Sequence, residues 1–214
     1  SGSNNTFINC KMLNGYYTMV IYGPVSSPYA SNNSVINCQI SDFYSSGIIT
    51  YQQNNLTIKG CTFDRPLRTV LSNCTCLYIQ QSQIGNTKVI GNCFQNLYGG
   101  APTFTGAGAY AIRLLNGQPG YATNTFSNNL INNPGINAWF YGMYFNDLNR
   151  ICKSNTIIVN NPNPSGTTNN WTYGIYDYAG NDSSHYINNF IAITQGKRKH
   201  LLLNRKWREK APST

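Results

Sequence analysis

The sequence predicts an all-β solenoid, a parallel β-helix of about seven or eight coils over residues 1–195. Short phrases rich in β-branched and aromatic residues recur about every 21 to 36 residues. Asparagine, at 32 of the 214 residues, is concentrated beside these phrases. Ala, Leu, Glu and Lys, which favour helices, are scarce, so a helical bundle is excluded.

The first recurring phrase has Asn-Cys, Gly-Cys or Asn-Asn at or near its end. Its copies lie at residues 5–10, 33–38, 56–61, 88–93, 125–129, 157–161 and 185–190. Each copy is short, carries Ile, Val, Thr or Phe, and is bounded by Asn, Gly, Ser or Pro. Such segments are typical of β-strands.

A second phrase follows the first and supplies another strand in each repeat. Residues 141–145 and 173–177 are its clearest copies, and their offset of 32 residues equals that from Asn129 to Asn161. Weaker copies lie at residues 17–20, 46–49, 68–71 and 110–113. Because no helical segment separates the strands, we expect coils that stack at about 4.8 Å and bring equivalent residues into columns. Stacked Asn amides can then hydrogen-bond along the axis.

These phrases, N-x-I-x-N-[CN] followed by [GA]-[IM]-x, resemble the repeats of the pectin-lyase-like superfamily. The resemblance covers about residues 4–195 and implies a single-stranded, right-handed parallel β-helix. It is specific for the fold and unspecific for the function, because one scaffold hosts many activities. A β-propeller or sandwich is the rival fold, but no Asn-Gly turn joins adjacent alternating strands at hairpin spacing.

The basic charge lies at the carboxyl end of the sequence. Residues 1–195 carry 8 basic and 5 acidic side chains, whereas residues 196–214 carry 7 basic and one acidic. We therefore expect residues 196–214 to be a basic tail, disordered or foreign to the fold. Nucleic acid is not an expected partner except through this tail. No apolar run is long enough for a membrane span, and the repeats at the start suggest a fragment of a longer solenoid.

Four of the seven cysteines, Cys10, Cys38, Cys61 and Cys93, occupy the same slot of the first phrase. This placement predicts an inward column of buried thiols, with a disulfide as the alternative. No metal site is predicted, since residues 74–76 read C-x-C without a second pair. No cofactor is predicted either, and calcium stays an alternative that no motif here supports.

Few side chains are candidates for catalysis. Asp147 lies two positions beyond Phe145, the counterpart of Asp177 in the preceding coil, so stacking of the two coils would make the aspartates near neighbours. A glycoside hydrolase needs two carboxyl groups across one sugar. His185 is a candidate acid or base. The clustered Asp motifs of polygalacturonase-like enzymes are missing, and residues 64–68 (DRPLR) differ in register from the arginine pattern of pectate-lyase-like enzymes.

An outward aromatic column is the strongest functional signal. If residues 112, 143 and 175 point inward, then Arg113, Tyr144 and Tyr176 point outward in stacked coils, because strand side chains alternate. Trp139 and Trp171 lie just upstream with the same 32-residue offset. Aromatic rings beside a guanidinium are suited to sugars and their acidic groups. The alternative is packing against a loop or another subunit, as in a homotrimer.

The sequence thus predicts an extracellular, cell-surface or virion protein that binds a polysaccharide or cell-surface glycan. A polysaccharide lyase or glycoside hydrolase is the first alternative, and a passive structural spacer is the second.

Overall fold

A computed structural model describes residues 2–26, 28–80, 85–101, 106–115, 123–134, 138–146, 149–160, 171–178, 184–195 and 198–204. The β-branched and aromatic phrases form parallel strands throughout these ranges. Each coil contributes three strands to the wall of the solenoid, one more than the two predicted, because another short strand begins directly after the corner at the end of the first phrase.

The described strands make seven coils. Coil 1 contains β1 (Thr6–Ile8), β2 (Lys11–Leu13) and β3 (Tyr17–Tyr22), and coil 2 contains β4 (Ala30–Ser31), β5 (Ser34–Ile36), β6 (Gln39–Ser41) and β7 (Ser46–Tyr51). Coil 3 contains β8 (Gln53–Asn54), β9 (Thr57–Lys59), β10 (Thr62–Asp64) and β11 (Cys74–Gln80), and coil 4 contains β12 (Lys88–Ile90), β13 (Cys93–Gln95) and β14 (Ala109–Leu115). Coil 5 contains β15 (Asn124–Ser127), β16 (Leu130–Pro134) and β17 (Phe140–Asn146), coil 6 contains β18 (Arg150–Lys153), β19 (Thr156–Asn160) and β20 (Trp171–Asp177), and coil 7 contains β21 (His185–Ile187), β22 (Phe190–Gln195) and β23 (Arg198–Asn204).

Stacking of the coils produces three seven-stranded parallel sheets. Sheet A runs β1-β5-β9-β12-β15-β18-β21, sheet B runs β2-β6-β10-β13-β16-β19-β22, and sheet C runs β3-β7-β11-β14-β17-β20-β23. The two-residue strands β4 and β8 pair with each other beside this frame. β23 pairs in parallel with β20, so residues 198–204 of the segment set apart as a basic tail form part of coil 7.

One residue with a positive φ makes the corner between sheets A and B in every coil. Its φ lies between 50° and 66°, a conformation that Gly and Asn adopt most readily. The corner residues are Asn9, Asn37, Gly60, Gly91, Asn128, Ser154 and Asn188. This backbone requirement explains why the first phrase repeats an Asn or Gly at this point.

The residue after each corner points inward and builds a buried ladder. Asn92, Asn129, Asn155 and Asn189 follow one another in this position, and each Nδ2 donates to the Oδ1 of the next at 2.8–3.0 Å. The same Nδ2 atoms of Asn92, Asn129, Asn155 and Asn189 donate to strand carbonyls at 2.8–3.0 Å. Stacked Asn amides were predicted, and the structure confirms them.

Cysteine fills the same column in the first three coils. Cys38 and Cys61 are buried and Cys10 is half-buried, as the slot pattern predicted. Cys93 was assigned to this column incorrectly. Gly91 makes the corner in coil 4, so Asn92 takes the inward position and Cys93 begins β13.

Two copies of the phrases were aligned wrongly. Residues 68–71 form part of a loop, where Val70 is 65% exposed, and the third strand of coil 3 is β11. Residues 157–160 belong to sheet B, so the ladder partner of Asn129 is Asn155 and the offset is 26 residues. Asn161 lies outside the described residues.

The interior is filled by apolar columns from all three sheets. Fully buried examples are Val35, Ile58, Val89 and Phe126 from sheet A, Ile40, Phe63, Phe94 and Ile131 from sheet B, and Ile48, Leu77, Ile112 and Met143 from sheet C. The rings of Phe63 and Phe94 stack with centroids 4.7 Å apart. Burial of each such side chain contributes about 1.5–3 kcal/mol. No helix long and apolar enough to cross a membrane occurs in the described ranges.

Candidate functional site

The outer face of sheet C carries two columns of side chains. The tyrosine column consists of Tyr17, Ser46, Thr75, Tyr110, Tyr141 and Tyr173. The arginine column consists of Val20, Ile49, Tyr78, Arg113, Tyr144 and Tyr176. The predicted pairing of Arg113, Tyr144 and Tyr176 across three coils is therefore present in the strand register.

The tyrosine rings stack on one another along the solenoid axis. The centroids of Tyr110 and Tyr141 are 4.9 Å apart, and those of Tyr141 and Tyr173 are 4.7 Å apart. Tyr144 and Tyr176 stack likewise at 5.4 Å with an interplanar angle of 11°. Since each face covers its neighbour, Tyr144 and Tyr176 present ring edges and hydroxyl groups outward, not the flat platforms that were expected.

A groove of about 420 Å³ opens where this stack is interrupted. Ser46 and Thr75 replace tyrosine in coils 2 and 3 and pair in register, so two bulky rings are missing from the column. Tyr17 lines the groove on one side, and Tyr110 and Trp139 line it on the other. The volume lies within the range of about 300–1,000 Å³ that is common for small-ligand sites.

Arg113 lies beside this groove among aromatic rings. Its guanidinium carbon is 4.8 Å from the ring centroid of Tyr110, 5.3 Å from that of Tyr78 and 5.8 Å from that of Tyr144. These contacts hold the guanidinium by cation–π attraction. Its Nε is buried and has no hydrogen-bond partner among the described residues.

Trp139 is positioned by the loop that precedes β14. A Cβ atom on Gly108 would collide with the indole ring, and the Gly108 N–H donates to Asn73 Oδ1 at 2.8 Å. The ring also packs edge-on against Tyr110 at 5.0 Å. A glycine at this position therefore lets the indole form one wall of the groove.

The groove tyrosines are hydrogen-bond donors at ordinary pH. Burial raises the pKa of Tyr110 and of Tyr78, and the positive charge of Arg113 offsets part of each increase. Burial also raises the pKa of Tyr144. All three hydroxyl groups therefore stay protonated. Tyr78 donates its proton to Gln80 Oε1 at 3.1 Å, and Tyr110 and Tyr144 can donate to sugar oxygens.

Two predicted binding residues lie beyond the groove. Trp171 and Tyr176 belong to coil 6, and Trp171 stacks on Tyr173 at 6.0 Å. Of the predicted set, Arg113 and Trp139 line the groove, and Tyr144 adjoins it through Arg113.

The structure does not bring Asp177 and His185, two of the predicted catalytic residues, together. Asp177 points into the solenoid, where it is fully buried and pairs with the fully buried Arg150 at 2.6 Å. The Tyr186 hydroxyl donates to the other carboxylate oxygen at 2.8 Å and accepts from Arg150 Nε at 3.1 Å. This internal cluster has no contact with the groove, which disfavours Asp177 as an acid or nucleophile for a polysaccharide.

A second catalytic candidate, His185, is also separate from the groove. His185 is exposed on sheet A, and Asp147 lies outside the described residues. Within the described ranges, no group of three or more His, Cys, Asp or Glu side chains could hold a metal ion.

The parallel register and the three continuous sheets agree with comparison to known families. A family model described as a right-handed beta helix region matches residues 1–147. The chain belongs to the right-handed β-helix family. The fold class predicted from the repeats is thus confirmed, including its handedness. No curated protein and no solved structure was found to match this β-helix.

A second guanidinium lies inside the β-helix beneath the groove. Arg65 is fully buried, and its Nε and Nη1 have no hydrogen-bond partner in the described part of the chain. Its Nη2 donates to the Tyr44 carbonyl at 3.4 Å. Burial raises the pKa of the Cys74 thiol, and the neighbouring Arg65 lowers it in part. Because Cys74 also lines the groove, this buried positive charge is close to the groove floor.

We expect Arg65→Met to leave the free energy of unfolding unchanged or to increase it by about 1–3 kcal/mol. A buried charge without a carboxylate partner costs desolvation energy that an apolar side chain of similar length avoids. Urea denaturation of the variant and the parent protein measures the difference. A loss of stability of several kcal/mol would show that Arg65 is paired more strongly than these contacts indicate.

The sequence analysis missed Ser46 and Thr75, the residues that create the groove in this β-helix. Residues 46–49 match the second phrase, but the prediction placed the following copy at residues 68–71, in a loop, instead of in β11. Alignment of residues 75–78 (TCLY) with residues 110–113 (YAIR) would have revealed two consecutive small residues in a tyrosine column.

Proposed function

We propose that the protein binds an anionic polysaccharide or cell-surface glycan in the groove on sheet C, outside the cell or on a virion. The observation that carries the proposal is the groove at Ser46 and Thr75, which is lined by the aromatic side chains of Tyr17, Tyr110 and Trp139. Aromatic walls with a few polar groups are suited to pyranose rings, whose faces are apolar and whose rims carry hydroxyl groups.

The charges around the groove favour an anionic sugar over a neutral one. Arg113 lines the groove and none of the described lining residues is acidic. Arg65 adds a second positive charge beneath the floor. Positive charges in a cleft with low-dielectric walls concentrate anions, and a guanidinium binds a carboxylate or sulfate through two parallel hydrogen bonds.

Filling the groove tests the proposal. We expect Thr75→Tyr to abolish binding of an acidic oligosaccharide, because it adds a ring to a column in which coils 4 to 6 already hold tyrosine. Arg113→Met should weaken binding about 10- to 100-fold, the effect of losing a charge-assisted hydrogen bond. The measurements are a screen of uronic-acid, sialylated, sulfated and neutral oligosaccharides, followed by calorimetric titration.

Thr57→Tyr is the matched control. Thr57 is a half-buried threonine of the same coil on sheet A, so the substitution adds the same ring away from the groove. Undiminished binding by Thr75→Tyr, or no binding by the parent protein, would reject the proposal. Release of a shortened product during the titration would indicate the lyase or hydrolase alternative. A change in oligomeric state in Thr75→Tyr alone would indicate subunit packing on this face.

A further inference from the structure

The three cysteines at the corner between sheets A and B form a continuous sulfur column. The Cys10 N–H donates to Cys38 Sγ at 3.4 Å across the first two coils. Each thiol of Cys10, Cys38 and Cys61 donates to the carbonyl oxygen two residues before it, at 3.3–3.5 Å. Cys38 Sγ and Cys61 Sγ also lie 3.5 Å from a carbonyl oxygen of the preceding coil, those of Phe7 and Val35.

The spacing of the coils is suited to a disulfide. Adjacent strands of a sheet are about 4.8 Å apart, and disulfide-linked residues have Cα atoms about 4.4–6.8 Å apart. Cys10 and Cys38 occupy equivalent positions of adjacent coils. No large movement of the backbone is needed to join them.

The column is accessible at one end only. Cys10 is half-buried, whereas Cys38 and Cys61 are 2% and 1% exposed. Burial raises the pKa of Cys61 to about 11, and the Cys38 thiol beside it raises the value further. The thiolate is the reactive form of cysteine, so Cys61 is the least reactive and Cys10 is the sulfur that an oxidant meets first.

We propose that a small disulfide oxidant, such as oxidised glutathione, converts Cys10 and Cys38 into an inter-coil disulfide. The Cys10 thiolate attacks one sulfur of the oxidant, and a glutathione thiolate leaves. The Cys38 thiol then loses its proton and attacks the Cys10 sulfur, and the second glutathione leaves. Two protein thiols are oxidised, one oxidant disulfide is reduced to two thiols, and Cys61 stays free.

The bond links coil 1 to the rest of the solenoid. Strands β1, β2 and β3 lie at the edge of their sheets and pair on one side only within the described structure. The disulfide closes a segment of 28 residues and limits the conformations that coil 1 reaches when it opens. Coil 1 also carries Tyr17, so the same bond holds one side of the groove.

Tryptic mapping tests the proposal directly. Cys10, Cys38 and Cys61 fall in separate tryptic peptides, residues 1–11, 12–59 and 60–68. After incubation of the folded chain with oxidised glutathione, we expect a cross-link between residues 1–11 and 12–59. The free thiol count should fall from the seven of the sequence to five, and the melting temperature should rise by about 5 °C.

Cys93→Ser is the matched control, because Cys93 is also half-buried but lies outside the sulfur column. It should form the same cross-link, and Cys38→Ser should not. Retention of all seven thiols by the folded protein would overturn the proposal. A cross-link from residues 12–59 to 60–68, or one that includes Cys93, would overturn the assignment of Cys10 as the attacking sulfur.

Discussion

Replacement of Arg150 by Met is expected to lower the free energy of unfolding by about 3–5 kcal/mol. The substitution removes the guanidinium that pairs with the fully buried Asp177 carboxylate, and breaking a buried ion pair by removing one partner carries a penalty of that size. Arg150 also lies over the Phe145 ring, 4.9 Å from its centroid, a contact that the Met side chain retains in part. The measurement is urea denaturation followed by fluorescence.

The double variant Arg150→Met/Asp177→Leu separates charge from packing. It removes both charges, so it should be clearly more stable than Arg150→Met alone. A double variant as unstable as the single one would contradict the assignment of the loss to an unpaired charge. The same side-chain change at Arg65 is expected to leave the free energy of unfolding unchanged or to increase it. Arg65 forms no ion pair with a carboxylate among the described residues, so its replacement leaves no opposite charge behind.

Asn129→Ala is expected to destabilise the protein by about 3 kcal/mol or more. Asn129 Oδ1 accepts from the backbone N–H and the Nδ2 of Asn92 at 3.0 Å each, and its own Nδ2 donates to Val89 and Asn155. Truncation leaves several buried polar groups unpaired, each at a cost of about 1–3 kcal/mol. Thermal and urea unfolding report the loss.

Asn32→Gly is the control for the ladder prediction. Asn32 belongs to an exposed chain of side-chain amides with Asn4 and Asn55, and glycine keeps its positive φ of 57°. Because water replaces the lost hydrogen bonds there, we expect a change below about 1 kcal/mol. Equal losses of unfolding free energy for Asn129→Ala and Asn32→Gly would show that the buried ladder stabilises the protein no more than the exposed amides do.

The solenoid could be predicted because the same backbone requirements recur in every coil and select similar residues each time. The Asn or Gly at each corner and the inward apolar residue of each strand recur with the geometry that demands them. Alignment failed in coil 3, where the loop at residues 65–73 precedes β11, and in coil 6, where Ser154 makes the corner instead of Asn or Gly. The local sequence pattern does not reveal the length of an inserted loop when the residues of that loop themselves resemble a strand.

The site was predictable only in part, because it depends on which side chains are small. Arg113 and Trp139 were found from their outward register. The groove itself comes from Ser46 and Thr75, which have no chemical signature of their own. The inward direction of Asp177 follows from its spacing of two residues from the inward Ile175. Its ion pair was not predictable, since Arg150 lies 27 positions away and no repeat phrase links the two.

The backbone hydrogen bonds of all three sheets run nearly parallel to the solenoid axis, and this direction determines how the protein bears mechanical load. A force applied to the two ends of the solenoid stretches these hydrogen bonds along their own direction. The coils are then expected to detach one after another from the ends. Successive coils are offset by 23 to 37 residues, so each detachment releases about 8–13 nm of extended chain. A tether of this construction yields in unequal steps, and the coil with the longest insertion releases the most length.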